Sequence, residues 1–271
     1  MILTVQGRPA YAYTGGKAFD ATLPCVVFIH GALHDHSGFT LLARWFAHHG
    51  RSVLALDLPG HGRSAGPPLA DIQAHAEWTL AVLDAAGVAR AAWVGHSMGS
   101  LAALTAAGLA PARATHLALL GTAVPMKVSS ALLAMARLAP LKAIDLVNAM
   151  SISSLASKPS YPGPGSWVHG ANRALMRRTL AASFNADADG SNLFVHDFSV
   201  CDNFVEGLAA AAKVICPCTV VEGIHDQMTP PRQNRALAAA LRARIVSLPS
   251  GHHLMAEVPE SLQAALAHAL T

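Results

Sequence analysis

The 271-residue chain is poor in charge: Asp, Glu, Lys and Arg make up 13% of it, and 19 basic against 16 acidic residues leave a formal net charge of only +3. No basic run appears, so electrostatics offers no footprint for a nucleic-acid partner. Cysteine is scarce as well. Its four copies, Cys25, Cys201, Cys216 and Cys218, are too few and too irregular for a disulfide scaffold, and Cys216-Pro217-Cys218 is not a C-x-x-C pair. A reducing, cytoplasmic setting is the expectation, and MILTVQGRPAYAYTGG shows no charged leader followed by an apolar core and a cleavage site. A long unbroken apolar run is also missing. The most apolar region, Ser100 to Val124, is interrupted by Pro111, Arg113 and His116, which argues against a spanning helix and for a soluble chain without membrane insertion.

Apolar residues nevertheless account for 52% of the chain, enough for a substantial core in one α/β domain with an insertion. They recur in a rhythm. Short β-branched runs at Cys25–Ile29 and Ser52–Leu56 read as buried parallel strands, with the helical spacing of Phe39–Ala47 between them. Further strands are expected at Ala91–Val94, His116–Leu120, Thr219–Glu222 and Arg244–Leu248. Helices are expected near Asp71–Ala86, Ser97–Leu109, Pro231–Leu241 and Pro259–Leu270. Strands alternating with helices predict an α/β fold: a mostly parallel central sheet, helices on both faces, and a ligand site at the carboxyl ends of the strands. From about residue 122 to 203 the strand rhythm stops, and the spacing suits amphipathic helices followed by the loop Lys158 to Gly165. The expected organisation is a core of residues 1–121 and 204–271 carrying a helical cap of residues 122–203.

Val94-Gly95-His96-Ser97-Met98-Gly99 places G-x-S-x-G directly after a strand and before a helix. A serine on so sharp a turn presents its hydroxyl, and the flanking glycines permit backbone contacts that a Cβ would obstruct. Serine is a poor nucleophile until a base takes its proton and a third group orients that base. Two later strand ends offer the partners: Gly223-Ile224-His225-Asp226 follows one, and Ser250-Gly251-His252-His253 follows the next. The order Ser, Asp, His is the one expected of a parallel-sheet hydrolase.

With "HGALHDHSGF", "DLPGHGRS", "VGHSMGS", "GIHDQMTP" and "SGHHLMAEVPE" at successive strand ends, the chain resembles the α/β-hydrolase fold family along nearly its whole length. The resemblance implies a nucleophile at Ser97, an acid at Asp226 and a base at His252. His252 is preferred to His253 because it directly follows Gly251 and precedes the acidic Glu257 by five positions; His253 is expected in packing or solvent. The family's alternative position for the acid, after the His116–Leu120 strand, reads Gly121-Thr122-Ala123 and holds no carboxylate. Oxyanion-hole donors are expected from the backbone N–H groups of Ala32, with Leu33 as the lesser choice, and of Met98.

The segment His30 to His36 holds three histidines and Asp35, and His34-Asp35-His36 is similar to part of a binuclear zinc pattern. The histidine that pattern needs two residues earlier is missing, and no later cluster supplies further ligands. No metal and no cofactor is therefore expected. His34, Asp35 and His36 are assigned to loop hydrogen bonds, with Asp35 or Ser37 capping the next helix. Asp57 is read as a carboxylate tying down its glycine turn, and Glu222 and His225 as neighbours of the acid loop without a catalytic role.

The expected function is a serine-dependent hydrolase that cleaves an ester or related acyl bond of a small to medium apolar substrate through an acyl-enzyme. Leu33, Met126 and Trp167 are candidate pocket residues, with Leu132, Leu133, Met135, Met150 and Met176 beside them in the cap. A carbon–carbon bond hydrolase of ring-fission diketones would use the same three residues, and a small-ligand receptor on the same fold is the alternative from another class. Perhydrolase and acyltransferase differ only in the acceptor. An epoxide or haloalkane hydrolase would carry aspartate where Ser97 stands. Oligomeric state is not legible.

Overall fold

The computed structural model describes residues 1–182 and 192–270. Eight strands form one sheet in the order β1-β2-β4-β3-β5-β6-β7-β8: Ile2–Val5 (β1), Arg8–Tyr13 (β2), Cys25–Ile29 (β3), Ser52–Leu56 (β4), Ala91–His96 (β5), Ala114–Leu120 (β6), Cys218–Gly223 (β7) and Arg244–Leu248 (β8). From β4 to β8 in that order the neighbours pair in parallel. The six strands expected from sequence are all present. The addition is β1 and β2, an antiparallel hairpin at the sheet edge whose two-residue turn, Gln6 (φ 50°) and Gly7 (φ 77°), is left-handed at both positions. Such a turn matches the twist of the flanking strands.

Strand side chains alternate between two apolar layers. Val27, Ile29, Leu54, Leu56, Trp93 and Leu119 face Ile72–Ala85 (α2) and Met98–Leu109 (α3). Val26, Phe28, Val53, Ala55, Val94 and Leu120 face Thr40–His48 (α1) and the C-terminal helix. Burying such a side chain contributes roughly 1.5–3 kcal/mol, and every residue of β3, β4 and β5 is buried. That is why these strands read as unbroken apolar runs.

Between β6 and β7 the chain forms Ser130–Leu138 (α4), Pro140–Ser151 (α5), Val168–Ala182 (α6), Leu193–Asn203 (α7) and the short Gly207–Ala211 (α8). Ala143, Ile144, Val147, Met176, Phe194 and Phe198 give α5, α6 and α7 an apolar cluster of their own, into which Leu33 inserts. Arg235–Ala240 (α9), Leu254–Glu257 (α10) and Pro259–Ala269 (α11) complete the chain. No helix among the described residues is long and apolar enough to cross a membrane.

Candidate active site

Ser97 stands at the β5–α3 turn with φ 51° and ψ −120°, a left-handed conformation uncommon for a residue with a Cβ. The turn closes because its neighbours lack side chains. A Cβ on Gly95 would lie 2.2 Å from the Gly99 carbonyl oxygen, and one on Gly99 would lie 2.2 Å from the Ile29 carbonyl oxygen. The Ser97 amide donates to the Leu120 carbonyl at 3.0 Å, locking the elbow to β6.

The β7 end supplies Asp226, whose carboxylate is buried. Its Oδ1 accepts the amides of Met228 (2.8 Å) and Thr229 (2.9 Å), and its Oδ2 accepts the Thr229 hydroxyl at 2.8 Å. Burial works against its charge, but the His252 partner and the Thr229 bonds outweigh it and hold the carboxyl below its ordinary range. His252 Nδ1 lies 2.7 Å from Asp226 Oδ2. Since a carboxylate only accepts, Nδ1 is the protonated nitrogen, and Nε2 is left for the cavity that Ser97 and His252 share.

The loop bearing His252 is fastened from below and above. Glu257, buried at the end of α10, accepts the Gly251 amide at 3.1 Å and the Ser153 amide at 3.1 Å. The His252 amide donates to the Ser151 carbonyl, at the end of α5, at 2.7 Å. Gly121 lies against the imidazole: a Cβ there would sit 3.0 Å from His252 Nδ1 and 3.6 Å from Asp226 Oδ2.

The cavity opens over the carboxyl ends of the strands, beneath α5, α6 and α7. Its apolar wall includes Ala32, Met126, Val128, Val147, Met176 and Phe198. Its polar wall holds Ser97, His34, His96, Asn172, His252 and His253. Two pocket candidates lie elsewhere. Leu33 is fully buried and turns into the α5–α7 cluster, away from the cavity. Trp167 is 49% exposed, donates its indole N–H to the Ser157 carbonyl at 3.1 Å and stacks on His169, so it faces outward. Of the other cap residues named, Met176 borders the cavity; Leu132 and Leu133 pack in the helical cluster and Met135 is exposed.

Three further histidines border the cavity. His253 is buried and borders the cavity, its ring 5.3 Å from that of His34, and burial drives its pKa far down. His34 bonds within its loop, to the Ala32 carbonyl at 2.7 Å, but also reaches Asn172 Oδ1 on α6 at 2.8 Å and borders the cavity. His96, the variable residue of the serine motif, contacts the His252 carbonyl through Nε2 at 2.9 Å. None of these had a sequence signal beyond adjacency to a motif, and Thr229 was signalled only by lying three residues after the acid.

Asp35 caps the turn after β3 by accepting the Ser37 amide at 2.8 Å, and its other oxygen takes Arg178 of α6 at 2.8 Å. Asp57 accepts His36 Nδ1 at 2.7 Å and the Arg63 amide at 2.8 Å, tying down the glycine turn. Asp35, His36 and Asp57 bring ligand-type atoms within 4.8 Å of one another, yet these bonds already satisfy the carboxylates. Glu222 is engaged by Asn234, Arg235 and Ser247, and His225 is exposed.

A family model described as alpha/beta hydrolase fold matches residues 24–259. The enol-lactonase of Burkholderia xenovorans LB400 superposes over 100% of this chain and 99% of its own, with a TM-score of 0.83 at 22% identity, which speaks for the fold alone. A Pseudomonas putida protein named the dihydrolipoyllysine-residue acetyltransferase component of the acetoin cleaving system is 40% identical over 104 residues, 36% of this chain and 26% of that protein. The mouse sn-1-specific diacylglycerol lipase ABHD11 is 38% identical over 81 residues, 30% of this chain and 26% of its own length. The matched stretch thus spans about a quarter of each of these two relatives.

Proposed function

Since the chain belongs to the alpha/beta hydrolase fold family, we propose that it is a serine-dependent hydrolase opening an ester or related acyl bond of a small to medium, largely apolar substrate. The observation that carries this reading is the pairing of His252 Nδ1 with buried Asp226 at 2.7 Å beside a cavity bordered by Ser97.

In this reading His252 Nε2 takes the Ser97 proton as Oγ attacks the acyl carbon. The tetrahedral oxygen gathers negative charge, and Asp226 stabilises the imidazolium. The same imidazolium then protonates the leaving oxygen, and the acyl-serine is released by water deprotonated at Nε2. The amides of Ala32 and Met98 serve as oxyanion donors. Leu33 is not available for that duty, because its amide donates to Asp197 Oδ2 at 2.9 Å. Residues 122–203 act as the cap that shapes specificity, and the apolar wall around Met126, Met176 and Phe198 favours an uncharged acyl chain. The four cysteines, all unpaired, support a reducing compartment.

Ser97→Ala should retain the fold and lose both turnover of p-nitrophenyl esters and covalent labelling by a serine-directed phosphonate. Labelling that persists in that variant would remove Ser97 from the mechanism. A substrate panel graded by acyl length, with a lactone and a diketone included, distinguishes ester, lactone and carbon–carbon cleavage.

A further inference from the structure

Helix α7 carries a carboxylate for which acyl transfer has no direct use. Asp197 is fully buried, and its Oδ2 meets the Leu33 amide and His61 Nε2, each at 2.9 Å. His61 lies in the glycine turn after β4, and its Nδ1 faces the Pro59 carbonyl at 3.1 Å. Both ring nitrogens of His61 therefore look at oxygen acceptors, a requirement met only by the doubly protonated ring. Burial alone would strip that second proton, but the Asp197 charge and hydrogen bond prevail and raise the His61 pKa. Burial also opposes the Asp197 anion, and it is overcome by His61, His196 and the Leu33 amide, which hold the carboxyl below its ordinary range.

A buried ion pair of this kind is weak evidence for stability, so its geometry is the better guide to its use. Leu33 has φ 55°, a left-handed conformation that a leucine adopts only when its surroundings impose it. The amide that Asp197 captures belongs to this residue, and the peptide before it joins Ala32, which borders the cavity. His30 anchors the other end of the loop. Its Nδ1 lies 2.8 Å from the Gly31 carbonyl, its Nε2 accepts the Leu58 amide at 3.1 Å, and its ring centroid is 4.9 Å from that of His61. Burial and the nearby His61 push its pKa down to about 3, so it anchors as the neutral ring.

We propose that Asp197, seated by His61, is a positioning residue that sets the oxyanion loop, so that a helix of the insertion aligns the Ala32 amide toward the developing negative oxygen. This inference rests on the acyl-transfer reading. It makes transition-state stabilisation depend on α7 being docked, although no atom of Asp197 touches substrate.

The test compares wild type with Asp197→Asn, and with Asp197→Asn combined with His61→Gln, which removes both charges and keeps polar groups at both positions. On an ester turned over by the wild type, kcat should fall by roughly tenfold or more, with KM changing little. Affinity for a boronic acid, which forms a tetrahedral anion on serine, should fall in parallel, while affinity for the carboxylic acid product holds. In the unaltered protein the Leu33 amide should exchange slowly with solvent; rapid exchange would contradict the clamp and needs no variant to fold. A folded variant with wild-type kcat and boronate affinity overturns the proposal, as does an equal loss of boronate and product binding. Failure of a phosphonate to label Ser97 in the wild type would sink the acyl-transfer reading beneath it, whereas labelled wild type with indifferent variants sinks only the role of Asp197.

Discussion

Gly121 marks how little room surrounds the Asp226–His252 pair. Its φ of 53° favours glycine, and a methyl group there would press within 3.0 Å of His252 Nδ1. Gly121→Ala should displace the imidazole and lower kcat by on the order of 100-fold, with a near-ultraviolet dichroism spectrum close to wild type; unchanged kcat would mean the ring can shift without penalty. The same position accounts for the acid assignment. The end of β6 does lie beside the imidazole, as the alternative acid position would require, but it offers only hydrogen where a carboxylate would stand. At this scale Ser97, Asp226 and His252 were legible as candidates because each follows a strand in a recognisable motif. His253 was not: adjacent residues in the turn entering α10 both point inward, and the alternation that separates neighbours in a strand does not operate there.

Among elements, α10 is short but holds two others together. Glu257 at its end accepts the amides of Gly251 and Ser153, one from the loop after β8 and one from the segment after α5. Glu257→Ala strands two buried amides, each costing about 1–3 kcal/mol. The urea midpoint should fall accordingly and kcat with it, since the Gly251 loop carries His252; a variant that loses stability but keeps kcat would show that the loop is held by Ser151 alone. The helices between β6 and β7 were foreseeable from apolar spacing, but their facing was not. Spacing places Met176 and Trp167 equally well in a pocket, yet Met176 turns in and Trp167 lies outward on its own hydrogen bond. The edge hairpin is not legible in the sequence because Pro9 interrupts its second strand and Gln6-Gly7 is a weak turn signal beside Asn-Gly.

Across the whole molecule, the His61–Asp197 pair joins α7 to the turn after β4, and its charge states set a pH window. The raised His61 pKa makes its contribution complete below about pH 6.5 and progressively lost as pH climbs through the folded-state value. The lowered Asp197 pKa makes its contribution complete above about pH 4 and lost as pH drops through the folded-state value. Both are full between these limits. The stability gap between wild type and His61→Gln, read from denaturant midpoints, should therefore be widest near pH 5–6 and narrow by about 1.4 kcal/mol for each unit of the His61 shift as pH is taken to 9; a gap that widens toward pH 9 would contradict the assignment. His30, His75, His196 and Asp57 surround the pair; because His61 helps lower the pKa of His30 and His75, the narrowing is read from pH 7 upward, where burial keeps those two rings neutral in both proteins. By itself the sequence determined the alternation of strands and helices and the motifs at their ends, because periodicity and turn chemistry are local and are written in consecutive residues. Only the tertiary structure decided that Asp197 captures the Leu33 amide, that His34 and Asn172 meet across the cavity, and that Leu33 and Trp167 turn away from it. Those contacts join residues up to 164 positions apart, and they depend on how helices seat on a sheet, which no local pattern encodes.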